Sequence, residues 1–424
     1  MTTRPLHAVL LPAADATGRM LEALSAALDG TGPAILPLDP DLPRARLAAM
    51  LDAFAPSVIE SLEGPERNAS ASPGGHPASG VAPDTALVIA TSGSTGEPKG
   101  TELSAAALLA SARASLRRIG AGAGDRWLCC LPVFHIAGIQ VLVRSLLAGA
   151  DPVVVSRLEP GTLAASGCAH VAVVPTQLRR LVEAGDDLTA AATILLGGAA
   201  PGAGLVDAAR AAGGHVVTTY GMSETSGGCV YDGVPLDDVS VEIGADGRIR
   251  IAGPVLFSGY RLRPDLFAAA RDGRWFVTSD LGAFGPSGEL LVRGRADDVI
   301  NTGGEKVVAA EVEAALGTCA GVREAAVLGR PDPEWGEVVT AVVVPADPAA
   351  PPLLADVRAH VRARLPGYAA PAALVLVAEI PMLPSGKPDR AALRARTVAT
   401  GNTAIADGPR AYGTATGTNG RAER

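Results

Sequence analysis

Aromatic side chains are scarce in this chain of 424 residues, where Phe, Trp and Tyr together make up 3%. The hydrophobic content nevertheless reaches 48%, with Ala, Val and Leu dominant. That is enough apolar surface for a sizeable core, packed by the small aliphatic side chains of helices and sheets. The length favours two or three domains over a single one.

Clustered positive charge is also missing. The net charge is -8, and no long basic run interrupts the sequence. Because binding a phosphate backbone needs clustered Lys and Arg, nucleic acid is excluded as the main partner. Single nucleotides are not excluded, since a few well-placed groups are enough to bind them.

The cysteines number only five, and no two pairs have the spacing of a metal site. Cys129 and Cys130 lie in the apolar run Trp127–Leu131, which predicts buried thiols on a strand. Free thiols in turn favour a reducing, cytoplasmic environment.

Long hydrophobic runs are absent as well. The uncharged apolar stretch Trp127–Val143 contains Pro132 and falls short of the roughly 20 apolar residues that a membrane span needs. Near the N-terminus, Pro12 and Asp15 interrupt any signal-peptide core. We therefore expect no membrane span.

Between two segments of biased composition, apolar runs alternate with amphipathic stretches. Residues 63–83 are rich in Gly, Pro, Ser and Ala and predict a flexible surface loop, and residues 399–424 predict a disordered tail. The alternation predicts an α/β fold in which crossover helices connect parallel-rich sheets. Strands are expected at 86–90, 152–155, 170–174, 193–196 and 215–218.

The sequence pattern changes twice towards the C-terminus. Residues 239–294 read as short strands and turns, which indicates a small β-rich subdomain. After Arg295 the pattern is that of a compact α+β domain of about 100 residues. We expect an N-terminal domain over 1–296 and a C-terminal domain over 297–398.

The segment TSGSTGEPKG directly follows the strand predicted at 86–90. Its glycines let backbone N–H groups approach an anion, and its hydroxyls and lysine add donors and charge. Gly100 after the lysine rules out a Walker P-loop, whereas a flexible surface loop remains the alternative. The candidate ligands of a polyphosphate are Thr91, Ser92, Gly93, Ser94, Thr95, Gly96 and Lys99.

A second cluster, TYGMSETS, follows the strand predicted at 215–218. Tyr220 offers a flat ring to a base, Ser223 a hydroxyl, and Glu224 an oxygen ligand suited to Mg²⁺. A merely solvated carboxylate is the alternative for Glu224. Two other predicted strand ends could contact the same nucleotide. Gly197, Gly198 and Ala199 would offer bare backbone to the base or its sugar, and Asp280 would accept hydrogen bonds from the ribose hydroxyls. A simple turn is the alternative for each.

Charged residues and glycines mark the predicted domain boundary. GRADDVINTGGEKV contains Arg295 and Asp297 and indicates a joint between domains. Further on, PSGKPDR places Lys387 in a turn framed by two prolines, where a fixed cation could offset developing negative charge. A solvated surface lysine is the alternative.

In this order, the motifs resemble the full series of the adenylate-forming superfamily, which contains acyl-CoA synthetases, firefly luciferase and adenylation domains of nonribosomal peptide synthetases. The resemblance spans residues 87 to 390. It implies a large N-terminal domain, a small mobile C-terminal domain, and ATP, Mg²⁺ and coenzyme A as co-substrates and cofactor of two half-reactions. The first half-reaction makes an acyl-adenylate from a small carboxylic acid, and the second passes the acyl group to a thiol.

The resemblance also implies roles for single residues. Thr91–Lys99 would hold pyrophosphate, and Tyr220 with Gly221 would border the adenine. Ser223 would meet the α-phosphate, and Glu224 would hold Mg²⁺. The roles that remain are ribose binding by Asp280 and Arg295, the hinge at Asp297, the thiol side near Gly303, Gly304 and Lys306, and contact with the carboxylate and α-phosphate by Lys387.

The acid is indicated by two further segments. Phe134–Val155 and Leu36–Pro43 resemble the matching regions of o-succinylbenzoate–CoA ligases of menaquinone biosynthesis. The second carboxylate of that acid would need a polar partner, for which the sequence offers three candidates that could equally be buried or solvated on a helix face: His135, Gln140 and Arg144.

Three alternatives stay open. The chain could be another acyl- or aryl-CoA synthetase, or a stand-alone adenylation enzyme that loads a carrier protein. It could also be a catalytically silent nucleotide-binding protein, although Glu224, Asp280, Arg295 and Lys387 argue against that. The oligomeric state is open, with a homodimer among the options.

Overall fold

The computed structural model describes residues 3–11, 17–61, 63–68, 80–92, 98–382 and 388–399. Contacts within these ranges divide the chain into two compact units, with the division between Asp297 and Asp298.

The N-terminal unit contains mostly short strands, interleaved with helices. Its strands are β1 (Arg4–Val9), β2 (Ala34–Pro37), β3 (Val58–Ser61), β4 (Gly64–Arg67), β5 (Gly80–Val81), β6 (Thr85–Ser92), β7 (Pro98–Ser104), β8 (Trp127–Cys129), β9 (Val153–Val154), β10 (His170–Val173), β11 (Thr193–Leu196), β12 (Val216–Met222), β13 (Gly227–Tyr231), β14 (Val234–Pro235), β15 (Ser240–Ile243), β16 (Arg248–Ala252), β17 (Gly259–Tyr260), β18 (Arg271–Asp272), β19 (Trp275–Phe284) and β20 (Leu290–Arg295). Its helices are α1 (Thr17–Asp29), α2 (Arg44–Phe54), α3 (Ala105–Ile119), α4 (Ile136–Ala148), α5 (Thr162–Ser166), α6 (Pro175–Glu183), α7 (Leu205–Ala211) and α8 (Pro264–Ala269).

These strands form three sheets. The first has the order β17-β7-β6-β2-β1-β3-β4, with β5 also paired to β1. The second has the order β14-β13-β12-β11-β10-β8-β9, and its strands β12, β11, β10, β8 and β9 are parallel. The third is antiparallel, with the order β15-β16-β19-β18 and β20 paired to β19. The predicted α/β fold with a β-rich subdomain is therefore confirmed.

The core of this unit is layered. The largest hydrophobic cluster joins α1, α3 and α4 to both large sheets, for example through Leu87, Leu108 and Leu195. A separate cluster packs α2 against the other face of the first sheet, and another packs α6 and α7 against the other face of the second. The small aliphatic residues that dominate the composition fill these layers.

Local sequence signals explain where α3 begins and ends. The Ser104 hydroxyl accepts a hydrogen bond from the Ala107 N–H at 3.1 Å, which satisfies one of the free donors of the first turn. Gly120 ends the helix with a φ of 68°, a conformation that glycine adopts without strain. The spacing of Leu108, Leu109 and Leu116 between these two residues predicts a helix, and α3 confirms it.

The prediction of a flexible loop over 63–83 is wrong at both ends of the segment. Gly64–Arg67 forms β4 against β3, and Gly80–Val81 forms β5 against β1. Edge strands are held by backbone hydrogen bonds and need no apolar alternation, so composition missed them. Residues 69–79 and the predicted tail from 400 onwards lie outside the described residues.

The C-terminal unit is an α+β domain built on one five-stranded sheet. Its strands are β21 (Val299–Thr302), β22 (Glu305–Val308), β23 (Val322–Asp332), β24 (Gly336–Pro345) and β25 (Ala373–Leu376), in the order β22-β21-β24-β23 with β25 parallel to β24. Its helices are α9 (Ala309–Leu316), α10 (Leu354–Arg362) and α11 (Arg390–Ala399). Helices α9 and α10 pack on the sheet through a cluster that includes Val312, Val343 and Val357.

Arg4 should stabilise the N-terminal unit, because its buried guanidinium joins β1 to the end of α1 and to β6. It donates to the carbonyls of Gly32 at 2.7 Å, Ala27 at 2.8 Å and Thr85 at 2.9 Å. We expect Arg4→Met to lower the free energy of unfolding by about 3 kcal/mol, because buried carbonyls lose a charged donor. Urea unfolding followed by circular dichroism measures this, with the exposed Arg67→Met as the control; equal midpoints for both variants would contradict the assignment.

Candidate active site

The carboxyl ends of two parallel strands form one side of the candidate site. β11 ends at Leu196, and the Thr219 hydroxyl on the neighbouring β12 donates to the Leu196 carbonyl at 3.2 Å. A Cβ on Gly197 would lie 2.4 Å from the Thr219 hydroxyl oxygen, so the two strand ends approach closely only because Gly197 has no side chain. Such edges of open α/β sheets are where ligands bind.

The turn after β12 presents Glu224. Ser223–Thr225 form a 3₁₀ turn, in which the Thr225 hydroxyl accepts from the Met222 N–H at 2.9 Å and donates to the Gly227 carbonyl at 2.7 Å. Gly221 is required here, because a Cβ would lie 2.0 Å from the Gly227 carbonyl oxygen. The turn is thus fixed by its own side-chain hydrogen bonds and by close backbone packing.

Glu224 is held from the first sheet. The Tyr260 hydroxyl donates to Glu224 Oε1 at 2.8 Å, and the Phe257 N–H donates to the Glu224 carbonyl at 2.9 Å. Tyr260 belongs to β17, which pairs with β7, and the Nζ of Lys99 on β7 lies 5.8 Å from the centre of the Tyr260 ring. The same phenol therefore contacts a carboxylate through its hydroxyl and a cation through its ring face.

Asp280 is held from two directions. The Tyr220 hydroxyl donates to Asp280 Oδ2 at 2.8 Å, and Nη1 of Arg295 on the facing strand lies 3.5 Å from Oδ1. Arg295 Nη2 also donates to Asp297 at 2.9 Å. The carboxylate that was predicted to bind ribose thus lies beside the predicted adenine-binding tyrosine and the predicted ribose-binding arginine.

Both tyrosines of the site stay protonated at neutral pH. Burial raises the pKa of Tyr220, and the charge of Asp280 raises it further. Burial also raises the pKa of Tyr260, with Glu224 adding to the effect. Each phenol is therefore a hydrogen-bond donor to a carboxylate.

The predicted polyphosphate loop joins β6 to β7. Thr91 pairs with Lys99 across this antiparallel ladder, and the Thr91 hydroxyl donates to the Lys99 carbonyl at 3.3 Å. The side chain of Ser92 and residues 93–97, which include Gly93, Ser94, Thr95 and Gly96, lie outside the described residues. Their predicted role stays a prediction.

The three predicted acyl-pocket residues have different surroundings. His135 immediately precedes α4, and its ring lies 4.8 Å from that of Phe134. Gln140 is buried and donates to the Leu108 carbonyl at 3.3 Å. Arg144 is buried with its guanidinium 4.6 Å from the centre of the Trp127 ring, and burial lowers its pKa. Gln140 and Arg144 are thus buried, but Gln140 Oε1 and Arg144 Nε and Nη1 have no hydrogen-bond partner among the described residues, and the predicted role of all three residues stays a prediction.

Three of the remaining predicted residues lie in the C-terminal unit. Gly303 and Gly304, with φ of 60° and 85°, form the turn between β21 and β22, and Lys306 follows on β22. Lys387 lies outside the described residues. After it, Arg390 begins α11 and pairs with Asp298 at 3.1 Å.

The donor set suits a hard cation that is bound jointly with a substrate. Among the described residues no cluster of three or more His, Cys, Asp or Glu could hold a metal alone. Glu224 has one carboxylate oxygen fixed by Tyr260, which leaves Oε2 for a cation. Magnesium is typically bound by one or two carboxylates together with substrate phosphates, and this arrangement fits that pattern.

Sequence reasoning missed Tyr260. Its contact with Glu224 links positions 36 residues apart and depends on the pairing of β17 with β7. The one signal was an aromatic residue after glycine in SGYRLRP, within a chain that is poor in aromatics.

Comparison with known proteins defines the class of this site. The family model for AMP-binding enzymes matches residues 33–261, more than half of the chain, and the model for their C-terminal domain matches residues 311–387. The chain belongs to the AMP-binding enzyme family. The adenylate-forming superfamily suggested by the motifs is confirmed.

Individual relatives have more specific names than the family. The chain is 43% identical over 407 residues to a probable 2-succinylbenzoate–CoA ligase of Mycobacterium tuberculosis (strain CDC 1551 / Oshkosh), covering 92% of this chain and 97% of that protein. It is similar in structure to the o-succinylbenzoate CoA synthetase (MenE) of Bacillus subtilis in complex with the acyl-adenylate intermediate OSB-AMP, at 26% identity and a TM-score of 0.78 over 93% of this chain and 89% of that one. The amide bond synthetase McbA of Marinactinospora thermotolerans matches with 27% identity and a TM-score of 0.79, covering 93% and 90%.

Every helix among the described residues is too short or too polar to cross a membrane.

Proposed function

We propose that this protein is an ATP-dependent 2-succinylbenzoate–CoA ligase. It converts o-succinylbenzoate into the acyl-adenylate and then into the CoA thioester, a step of menaquinone biosynthesis. The observation that carries the proposal is the 43% identity to a probable 2-succinylbenzoate–CoA ligase over nearly the full length of both chains. The cluster of Tyr220, Glu224, Asp280 and Arg295 in one unit supports it.

The first half-reaction joins two anions. A carboxylate oxygen of the acid attacks the α-phosphorus of ATP, the bond to the bridging oxygen breaks, and pyrophosphate leaves with the electron pair. Positioning and charge compensation supply most of the catalysis in such displacements. Lys99 and the loop before it bind the departing phosphates, while Asp280 and Arg295 hold the ribose.

Mg²⁺, when bound, offsets charge on the phosphate oxygens. Glu224 is the residue that would hold it, through the oxygen that Tyr260 leaves available. The 3₁₀ turn and the bare backbone at Gly221 keep that carboxylate in place before substrate arrives.

The second half-reaction consumes the acyl-adenylate that the first one forms. The thiolate of CoA attacks the acyl carbonyl, the bond to the phosphate oxygen breaks, and AMP leaves. We infer that the C-terminal unit turns about Asp297 between the two steps. This would exchange Lys387 for the Gly303–Gly304 turn and Lys306 at the reacting centre.

The acid would lie near the start of α4. His135, Gln140 and Arg144 stay the candidate partners for the second carboxylate, since Gln140 Oε1 and Arg144 Nε and Nη1 are buried without a hydrogen-bond partner among the described residues. The cytoplasm is the proposed location, supported by five free and buried cysteines. Burial raises the pKa of Cys129 to about 11 and those of Cys130 and Cys229 to about 12, so these thiols stay protonated and unreactive.

The test is acid-dependent ATP–pyrophosphate exchange over a panel of aliphatic, aromatic and dicarboxylic acids. We expect o-succinylbenzoate to give a kcat/KM at least about tenfold above its nearest analogue that lacks the second carboxylate, because a buried polar partner left unpaired disfavours the analogue. CoA, a carrier protein and a simple amine are then compared as acceptors by mass spectrometry. A preference for any other acid, or for another acceptor, would replace the proposal.

A further inference from the structure

Tyr260 contacts two charged side chains of the proposed reaction: Lys99, assigned to the phosphates of ATP, and Glu224, assigned to the metal ion. Its hydroxyl donates to Glu224 Oε1 at 2.8 Å, and the ammonium of Lys99 lies 5.8 Å from its ring centre. A tyrosine can serve both neighbours at once, because its ring face attracts a cation and its hydroxyl donates to an anion.

The scaffold places Lys99 and Tyr260 on one face of the first sheet. Tyr260 is directly opposite Thr101 in the pairing of β17 with β7, and Lys99 lies two residues before Thr101. Alternate residues of a strand share a face, so Lys99 is on the side of the sheet that Tyr260 occupies. The arrangement therefore follows from strand register.

An aromatic cluster fixes the Tyr260 ring from behind. The ring of Phe257 lies 4.8 Å from that of Tyr260 and packs against Phe267 and Phe276 at 5.2 and 5.1 Å. The Phe257 N–H also donates to the Glu224 carbonyl at 2.9 Å. The same short segment thus holds both the backbone and the side chain of Glu224.

We propose that Tyr260 is a positioning residue for the divalent cation that accompanies ATP. This inference rests on the proposed function, which defines the role of that cation. The phenol fixes Oε1 of Glu224, so that Oε2 is presented to the cation in one orientation. The ring face also attracts the Lys99 ammonium, which lies 5.8 Å from the ring centre. Without the ring the ammonium loses this contact and its fixed place.

Two substitutions separate these two actions. Tyr260→Phe keeps the ring near Lys99 and removes the hydroxyl, so we expect the Mg²⁺ concentration for half-maximal exchange to rise about tenfold, the effect of losing one hydrogen bond to a charged group. The KM for ATP at saturating Mg²⁺ should stay within about twofold. Tyr260→Leu removes both contacts and should raise the Mg²⁺ requirement and the KM for ATP together.

A binding measurement gives a readout that does not depend on turnover. Mn²⁺ replaces Mg²⁺ in the presence of a non-hydrolysable ATP analogue, and water-proton relaxation reports the affinity for the cation. Tyr231→Phe is the matched control, because the buried Tyr231 loses a comparable hydrogen bond, to Ser115 at 2.7 Å. We expect weaker Mn²⁺ binding in Tyr260→Phe and unchanged binding in Tyr231→Phe, with equal thermal midpoints showing that both variants are folded.

Unchanged Mn²⁺ affinity in folded Tyr260→Phe would overturn the inference, and so would an equal loss in Tyr231→Phe. Failure of the proposed function shows differently: the wild-type protein would then give no pyrophosphate release with o-succinylbenzoate, while the difference in Mn²⁺ binding between the two tyrosine variants persists.

Discussion

Replacing Lys387 with alanine will slow adenylation by about 10² to 10³, the range for losing one donor that acts on the transition state. The acid and the triphosphate are both anions, and their approach needs a cation at the oxygens that carry the developing charge. Lys387, which lies between Pro384 and Pro388 in the sequence, is proposed to supply that cation. ATP–pyrophosphate exchange measures the effect directly.

The second half-reaction is the internal control for Lys387. When o-succinylbenzoyl-adenylate is supplied with CoA, thioester formation in Lys387→Ala should fall far less than adenylation, because phosphorus is no longer attacked. The chain has three lysines, Lys99, Lys306 and Lys387, so Lys306→Ala makes a close comparison. We expect the opposite split for Lys306→Ala, with the thioester step affected more. Equal losses in both steps for Lys387→Ala would contradict its role.

The second large effect is expected from Glu224→Gln, which should lower the adenylation rate at physiological Mg²⁺ by about 10². The amide keeps the size of the side chain and can still accept from Tyr260. It removes the negative charge that makes the other oxygen a ligand for a hard cation. Exchange rates measured over a range of Mg²⁺ concentrations show the effect, and partial recovery is expected at high Mg²⁺.

Glu242→Gln is the control for this carboxylate. Glu242 lies on β15 and pairs with Arg250 at 3.4 Å, within the small third sheet. Exposed pairs of this kind contribute little, about 1 kcal/mol or less. We expect exchange within about twofold of wild type, since no substrate contact is removed. A Glu224→Gln variant as active as this control would show that the cation is held elsewhere.

Local signals in the sequence predicted much of the fold, since they need no knowledge of distant contacts. The strand at 193–196 and the helix from Ser104 to Gly120 coincide with β11 and α3. Apolar runs and capping residues are enough to define such elements. Strand β7 was missed, because Pro98–Ser104 has little apolar alternation and is held by its pairing with β6 and β17.

The candidate site was predictable in parts. Glu224 follows the end of β12, as predicted, and strand ends at one edge of a sheet converge. Tyr220 and Asp280 were expected at strand ends, but they lie within β12 and β19 because both strands run further than predicted. Their partners were not predictable, because the bonds from Tyr260 to Glu224 and from Tyr220 to Asp280 connect different sheets. Helical periodicity likewise could not show that the Arg144 guanidinium lies against the Trp127 ring.

The bonds between sheets have a consequence for how the N-terminal unit loosens. Glu224 with Tyr260 joins the second sheet to the first, and Tyr220 with Asp280 joins the second to the third. A nucleotide that contacts these side chains therefore connects all three sheets. Because a ligand that binds the folded state stabilises it, nucleotide binding should raise the free energy of unfolding of the whole unit. Conversely, we expect a packing defect in any one of the three sheets to lower the affinity for ATP before it unfolds the unit.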